Sequence, residues 1–352
     1  MDFTPTEEQE AARDLAARIF GDLATHERLA AAGTGSDAEL WKALCAAGLP
    51  GAVEETGLLG LVLLLEEQGR RTAQVPLAAT CVYGILAVAR HGTEEQRARL
   101  LPGLRDGTTV VTGAFPGTGG VVAHEGRLGG AVEWVPWLRD ATHVLVADAE
   151  RGLWLVRTED AARIEPVELT APWSAGRLVL DDTAAERLGT GSGSDAVGPG
   201  FDAYADVLVA ARVAFAGLQA GVCAGSLARA VEYTSVREQF GRPLATHQAV
   251  QLRAADAYMD TEAIRVTAYE AAWRHDEGLD AAEAALTAAW WASEAGKRVV
   301  HTGQHLHGGM GADLDHPVHR HFLWGRQLDA YLGCGTELLA ELGDLLAKGD
   351  PS

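Results

Sequence analysis

The sequence predicts an α+β fold in three parts: an N-terminal helical domain, a middle antiparallel β domain and a C-terminal four-helix bundle. Three observations predict it. The first hundred residues carry helical periodicity with cap signals. Short β-rich runs take over near residue 108. From Phe201 onward the texture is helical again, in long alanine- and leucine-rich stretches. The expected boundaries are 1–107, 108–190, a linker at 191–200, and 201–352.

In the first part, Thr4-Pro5-Thr6-Glu7 reads as a capping box with proline at the first helical position. Helices follow at about 38–48, 57–70, 74–91 and 93–105, punctuated by Gly48, Pro50 and His91-Gly92-Thr93. In the second part, Thr109–Phe115, Trp134–Trp137, Thr142–Ala147, Leu153–Val156, Arg163–Leu169 and Leu178–Asp181 alternate with Gly, Pro and Asp, as short antiparallel strands do. Gly189–Gly200 is rich in Gly, Ser and Thr and reads as a linker. In the third part, Asp206–Tyr233 is apolar nearly all round, which predicts a helix buried among others. Leu244–Glu277, Asp280–Thr302 and Pro317–Leu346 complete a set of four helices.

Composition limits the partners. The formal net charge of −20 repels nucleic acid and anionic lipid, so any phosphate must meet a local basic or glycine-rich patch. The most apolar run, Gly57–Leu65, is far short of the roughly 20 residues of a membrane span. Residues 1–20 lack a signal-peptide pattern. The four cysteines are widely spaced and read as reduced thiols. A soluble cytoplasmic protein is expected.

Two motifs carry chemistry. Tyr233-Thr-Ser-Val-Arg237-Glu-Gln239-Phe240-Gly241 is followed by His247-Gln248, and His305-Leu-His307-Gly308-Gly309-Met310-Gly311 is followed by Pro317 and Arg320. Arg237 is an obligate cation suited to a pyrophosphate. Phe240 offers a flat face to a planar ring. Gly308 and Gly309 allow close backbone approach, with amides free for phosphate oxygens. His301 and His305 stand one helical turn apart, but no cysteine or carboxylate shares their turn, so no metal site is assigned.

In this order and spacing the motifs resemble those of the acyl-CoA dehydrogenases, and the resemblance runs through essentially the whole chain. It implies the acyl-CoA dehydrogenase fold, FAD as cofactor and an acyl-CoA substrate. It assigns cofactor binding to Arg237, Gln239, Phe240, Gln248, His305, Gly308, Gly309 and Trp134, with the two C-terminal motifs acting on an FAD held mainly by a neighbouring subunit.

The family's catalytic carboxylate has no counterpart. The usual base follows a tyrosine near the C-terminus, where this chain has Tyr331-Leu332-Gly333. The alternative base precedes an arginine on the first C-terminal helix, where it has Ala211-Arg212. Neither Leu332 nor Ala211 can accept a proton. Glu337, further along, is expected to point elsewhere. Ala114–Val121 replaces an acidic loop, and Trp134-Val135-Pro136 offers no hydroxyl or amide hydrogen at Pro136. This pattern looks like the non-catalytic subunits of actinobacterial heterotetrameric acyl-CoA dehydrogenases of steroid side-chain thioesters. It implies a related α-like partner that supplies the base. A homomeric dehydrogenase with another base, a flavin-dependent monooxygenase and a structural homologue without flavin are the alternatives.

Overall fold

The computed structural model describes residues 2–116, 120–189 and 202–349. The chain forms two compact units: Met1–Glu27 with Leu58–Ala73 and Arg212–Ser352, and Arg28–Gly57 with Gln74–Ala211. The linker expected at 191–200 lies outside the described residues.

The N-terminal helices are α1 (Glu7–Leu23), α2 (His26–Ala32), α3 (Ala38–Ala46), α4 (Leu49–Arg71), α5 (Leu77–Ala79), α6 (Ala87–His91) and α7 (Glu94–Asp106), with a π-helical stretch at Thr80–Leu86. The first cap differs from the expectation. Thr6, rather than Thr4, starts α1: its hydroxyl accepts from the Gln9 amide, and the Gln9 side-chain oxygen accepts from the Thr6 amide. Thr6-x-x-Gln9 has the same box spacing, and it leaves Pro5 outside the helix. Thr93 and Gln96 repeat the device at α7. The helix expected from residue 57 begins at Leu49 and breaks at Gly57, where φ is 71° and ψ −167°. The amides of Leu58 and Leu59, freed by that break, donate to Asp276 at 2.7 and 2.9 Å.

The β elements are β1 (Val111–Ala114), β2 (Val121–His124), β3 (Arg127–Val135), β4 (His143–Ala147), β5 (Leu153–Arg157), β6 (Arg163–Pro166), β7 (Gly176–Ala184) and β8 (Glu186–Arg187). They form two four-stranded sheets, ordered β1-β4-β5-β8 and β2-β3-β7-β6. Their inward side chains share one core, including Val121, Leu128, Val144, Val146, Val156 and Leu178. All pairs but one are antiparallel; β1 runs parallel to β4, Val111 opposite His143. No strand is expected from the sequence at β2 or over residues 127–133 of β3, because Gly129-Gly130 and the turn at Glu125-Gly126 interrupt the apolar alternation.

The C-terminal helices are α8 (Ala203–Val236), α9 (Gln248–Asp276), α10 (Ala282–His307), α11 (Val318–Leu328) and α12 (Gly335–Gly349), with a small hairpin of β9 (Glu238–Gln239) and β10 (Arg242–Pro243) between α8 and α9. The last expected helix, Pro317–Leu346, is therefore two. Gly333, at φ 111°, takes a conformation no helix allows and separates them. By composition α8 is long and apolar enough to cross a membrane, but 94% of its most apolar window is buried inside the protein. It crosses α4 at backbone contact. A Cβ on Gly69 would lie 2.6 Å from the Val222 nitrogen, and one on Gly221 would lie 2.7 Å from the Glu66 Cα. Beside this crossing, Glu66 is buried and paired with Arg265 at 3.0 Å. Burial pushes the Glu66 carboxyl up, against the pull of that arginine.

Candidate functional site

The Arg237 amide donates to the Tyr233 carbonyl at 2.9 Å, and the Arg237 carbonyl accepts from Leu244 at 2.8 Å, so Arg237 closes α8 and opens the hairpin. Gln239 pairs with Arg242 across the strands, and Phe240 and Gly241 form the turn, both left-handed at φ 56° and 79°. Glycine adopts this conformation freely; phenylalanine does so at a cost in strain. The Phe240 ring is also 92% exposed. It meets only His247, edge to face at 6.2 Å, among the ring contacts described. Arg237, Gln239 and Gln248 are exposed beside it, Gln248 as the first residue of α9. An aromatic side chain held out at a strained turn, next to an exposed arginine, fits a planar anionic group brought from outside the chain.

The second motif ends α10. His305 is exposed in the last turn and lines an open groove of about 800 Å³ with Arg298, His301, Asp260 and Arg253. Gly308 caps the helix at φ 59° and ψ −136°, a region open to glycine alone. A Cβ added at Gly308 or Gly309 would meet nothing within 4 Å, so the backbone there is free to approach a ligand.

The contact joining the motifs was not legible in the sequence. The His307 ring stacks on the Tyr233 ring at 4.8 Å and 21°. Tyr233 precedes Arg237 by one turn and His307 adjoins Gly308, so the stack brings the arginine motif and the glycine motif together. Trp134 lies partly buried near the end of β3, in the other compact unit.

The two base positions are packed. Ala211 is fully buried. Leu332 is 6% exposed and lines a cavity of about 20 Å³ with Arg212, Phe215, Leu328, Tyr331 and Leu338. That is room for about one water molecule. Tyr331 packs edge-on against Phe215 at 4.6 Å. Arg212 donates to both oxygens of Glu341 on α12, at 2.9 and 2.5 Å. The Glu337 carboxylate accepts from the Cys334 amide at 3.0 Å, two residues after Leu332.

In the altered loop, Phe115 is buried and sits between Tyr83 at 5.2 Å and Tyr204 at 5.5 Å, stacked on both. An aromatic stack thus fills the space around the residue that replaces an acid. Gly117, Thr118 and Gly119 of the loop lie outside the described residues. Pro136 is buried, and its carbonyl accepts from the Thr112 hydroxyl at 2.6 Å. The ring of Trp137 is fully buried against Trp173 at 4.4 Å.

Comparison with known proteins identifies the family. Residues 6–108 match the profile of the acyl-CoA dehydrogenase N-terminal domain, and residues 198–341 that of the acyl-CoA dehydrogenase C-terminal domain. The chain is 34% identical over 381 residues to acyl-CoA dehydrogenase FadE27 of Mycobacterium tuberculosis, covering 99% of each. A solved variant of the Tcur3481-Tcur3483 steroid ACAD superposes with a TM-score of 0.90 at 42% identity, covering 98% of this chain and 99% of that one. The ChsE4-ChsE5 complex from Mycobacterium tuberculosis superposes with a TM-score of 0.90 at 31% identity, over the whole of both chains. The chain belongs to the acyl-CoA dehydrogenase family, whose members are FAD-binding flavoproteins.

Proposed function

We propose that this chain is the non-catalytic, FAD-gripping subunit of a heteromeric acyl-CoA dehydrogenase of the cytoplasm. It pairs with a related α-like chain that supplies the catalytic base and most thioester contacts. The pair carries out α,β-dehydrogenation of an acyl-CoA thioester bearing a steroid side chain. The observation that carries this reading is a contrast within one bundle. Leu332 is packed into a cavity the size of one water, while the Arg237–Phe240 hairpin stands out with its ring bare. The steroid and two-chain elements draw on the similarity to Tcur3481-Tcur3483 and ChsE4-ChsE5.

Bound FAD would supply the hydride acceptor for the thioester's β-carbon. This chain's own residues bind and orient it. The Arg237 guanidinium would hold a pyrophosphate, Phe240 would offer a ring face, and the backbone amides at Gly308-Gly309 would bind phosphate oxygens. A homomeric dehydrogenase would need another base. Arg212 lines the Leu332 cavity, and the carboxylate it holds, Glu341, already accepts from it through both oxygens.

The test is co-expression with related α-like chains, followed by flavin absorbance and subunit stoichiometry. A yellow complex with fewer FAD than chains, and a colourless chain when expressed alone, is the expected outcome. A yellow homomer carrying one FAD per chain and oxidising acyl-CoA would overturn the reading.

A further inference from the structure

The ring of His307 closes the last turn of α10 from the inside. Its Nδ1–H donates to the Gly303 carbonyl at 2.7 Å, and its face lies on Tyr233 of α8 at 4.8 Å and 21°. A carbonyl can only accept, so Nδ1 carries the proton and the neutral ring has a lone pair at Nε2. Nε2 is buried without a partner, in a residue only 2% exposed. The His316 ring stands 5.0 Å away.

This position suits one protonation state. A neutral ring forgoes one hydrogen bond at Nε2. An imidazolium would bring an N–H and a full charge to the same occluded place, with no acceptor to meet either, and that costs far more. The groups that face the ring offer no relief. Tyr233 and Arg229 face it from α8, and His316 from the segment before α11; His316 is faced in turn by Asp313 and His26. Asp313 carries the one negative charge among them, and it acts on His316. Burial first, and then Arg229, hold the His307 imidazole below its ordinary range, with the Gly303 bond opposing.

A charged ring has another place to go. Gly308, Gly309 and Met310, the next three residues, are exposed, so water lies one residue away. A Cβ added at Gly308 or Gly309 would meet nothing within 4 Å, which leaves that backbone room to turn. His307 also ends α10, and a cation is favoured at the carbonyl end of a helix. A ring rotated outward gains water and that carbonyl end, and gives up the Tyr233 face and the Gly303 bond. The ring therefore has two resting places, one for each protonation state.

We propose that His307 is an acid-sensitive latch on the glycine loop. The neutral ring, lying on Tyr233, fastens the end of α10 to the end of α8; the imidazolium leaves Tyr233 and frees Gly308 and Gly309. The inserted state binds fewer protons than the released one. It is therefore complete above about pH 6.5, where a free imidazole titrates, and is lost as pH falls below that value. That the freed loop would loosen FAD rests on the subunit reading above; the latch itself does not.

The test is fluorine NMR of the full chain made with fluorotyrosine, titrated from about pH 7.5 to about pH 5. Tyr233→Phe identifies the Tyr233 resonance. That resonance is expected to move in a one-proton step below about pH 6.5, while those of the buried Tyr83 and Tyr331 stay in place. His307→Phe keeps a ring on Tyr233 and should abolish the step. His321→Gln, which removes a different buried imidazole, should leave it unchanged. A Tyr233 resonance that stays still, that moves only together with those of Tyr83 and Tyr331, that moves equally in His307→Phe, or that stops moving in His321→Gln overturns the latch. In the assembled complex, acid that releases flavin from the wild type but not from His307→Phe extends the latch to the cofactor. Release from both at the same pH, with the Tyr233 step intact, overturns that extension alone. A complex without flavin at any pH removes the subunit reading and not the latch.

Discussion

The ring of His307 lies on the ring of Tyr233, 4.8 Å from centroid to centroid, and this one stack ties the end of α8 to the end of α10. Loss of the ring should loosen the register between Arg237 and the glycine loop. Tyr233→Ala is expected to lower the FAD content of the assembled complex several-fold, whereas Tyr233→Phe, which keeps the stack, should leave it near wild type. Flavin absorbance per complex after gel filtration checks this. Equal flavin in both variants would show that the stack is packing alone.

Arg237→Ala should lower FAD retention without unfolding the chain, because the side chain is exposed and supports no internal packing. A charge-assisted contact to pyrophosphate is worth about 1.5–3 kcal/mol, or roughly tenfold or more in affinity. The measurement is flavin lost from the complex on serial dilution. A variant that retains flavin as the wild type does removes Arg237 from the cofactor site.

Leu332→Glu places an acid where the family's usual base stands. A positioned base contributes about 10²–10⁴-fold, so even partial function would be visible. The cavity around Leu332 admits about one water, and a carboxyl forced into it is expected to stay largely neutral. The predicted result is no acyl-CoA-dependent dye reduction by the variant alone, with FAD in excess. Clear turnover would mean that the chain's own pocket is intact.

His321 is fully buried, and burial, reinforced by Arg229, pushes its imidazole down to about 3. The unfolded chain titrates near 6.5, so between these values the unfolded state binds more protons than the folded one. Stability from this group is complete above about pH 6.5 and is lost as pH falls through the window, by up to about 1.4 kcal/mol per pH unit. His321→Gln cannot titrate but can still donate to the Arg70 carbonyl, and should flatten the fall of melting temperature between pH 6.5 and 4. An unchanged slope would assign the acid limb to other groups.

Gly221→Ala should be among the most destabilising single methyl additions, because the new Cβ would meet the Glu66 backbone rather than a movable side chain. A loss of several kcal/mol, or failure to fold, is expected from urea unfolding, against under about 1 kcal/mol for Gly343→Ala, where the space is open and helix propensity improves.

The long helices and most strands were legible because apolar periodicity and capping residues are local signals. Thr93, Gln96 and Gly107 mark both ends of α7 in the sequence itself. What was hidden is long-range. The parallel β1–β4 pair depends on a register between Val111 and His143 that no short window encodes. The break at Gly333 looks in sequence like a tolerated glycine inside a helix. Within the site, the exposed motif residues could be read by type and spacing, since ligands select such residues directly. The Tyr233–His307 stack, the Phe115 stack and the Arg212–Glu341 pair could not, because each joins residues far apart in the chain.

The packing around Leu332 also bears on the history of such a chain. A vacated active site that kept its shape could regain a base through one mutation. Phe215, Leu328, Tyr331 and Leu338 line the small cavity beside Leu332, so on the subunit reading proposed above a glutamate at this position would need several neighbours to shrink or turn at the same time. Each of those changes alone would cost stability and restore no chemistry. Such a core acts as a ratchet: a lineage that came to rely on a second chain for its base would find the way back closed by its own side chains.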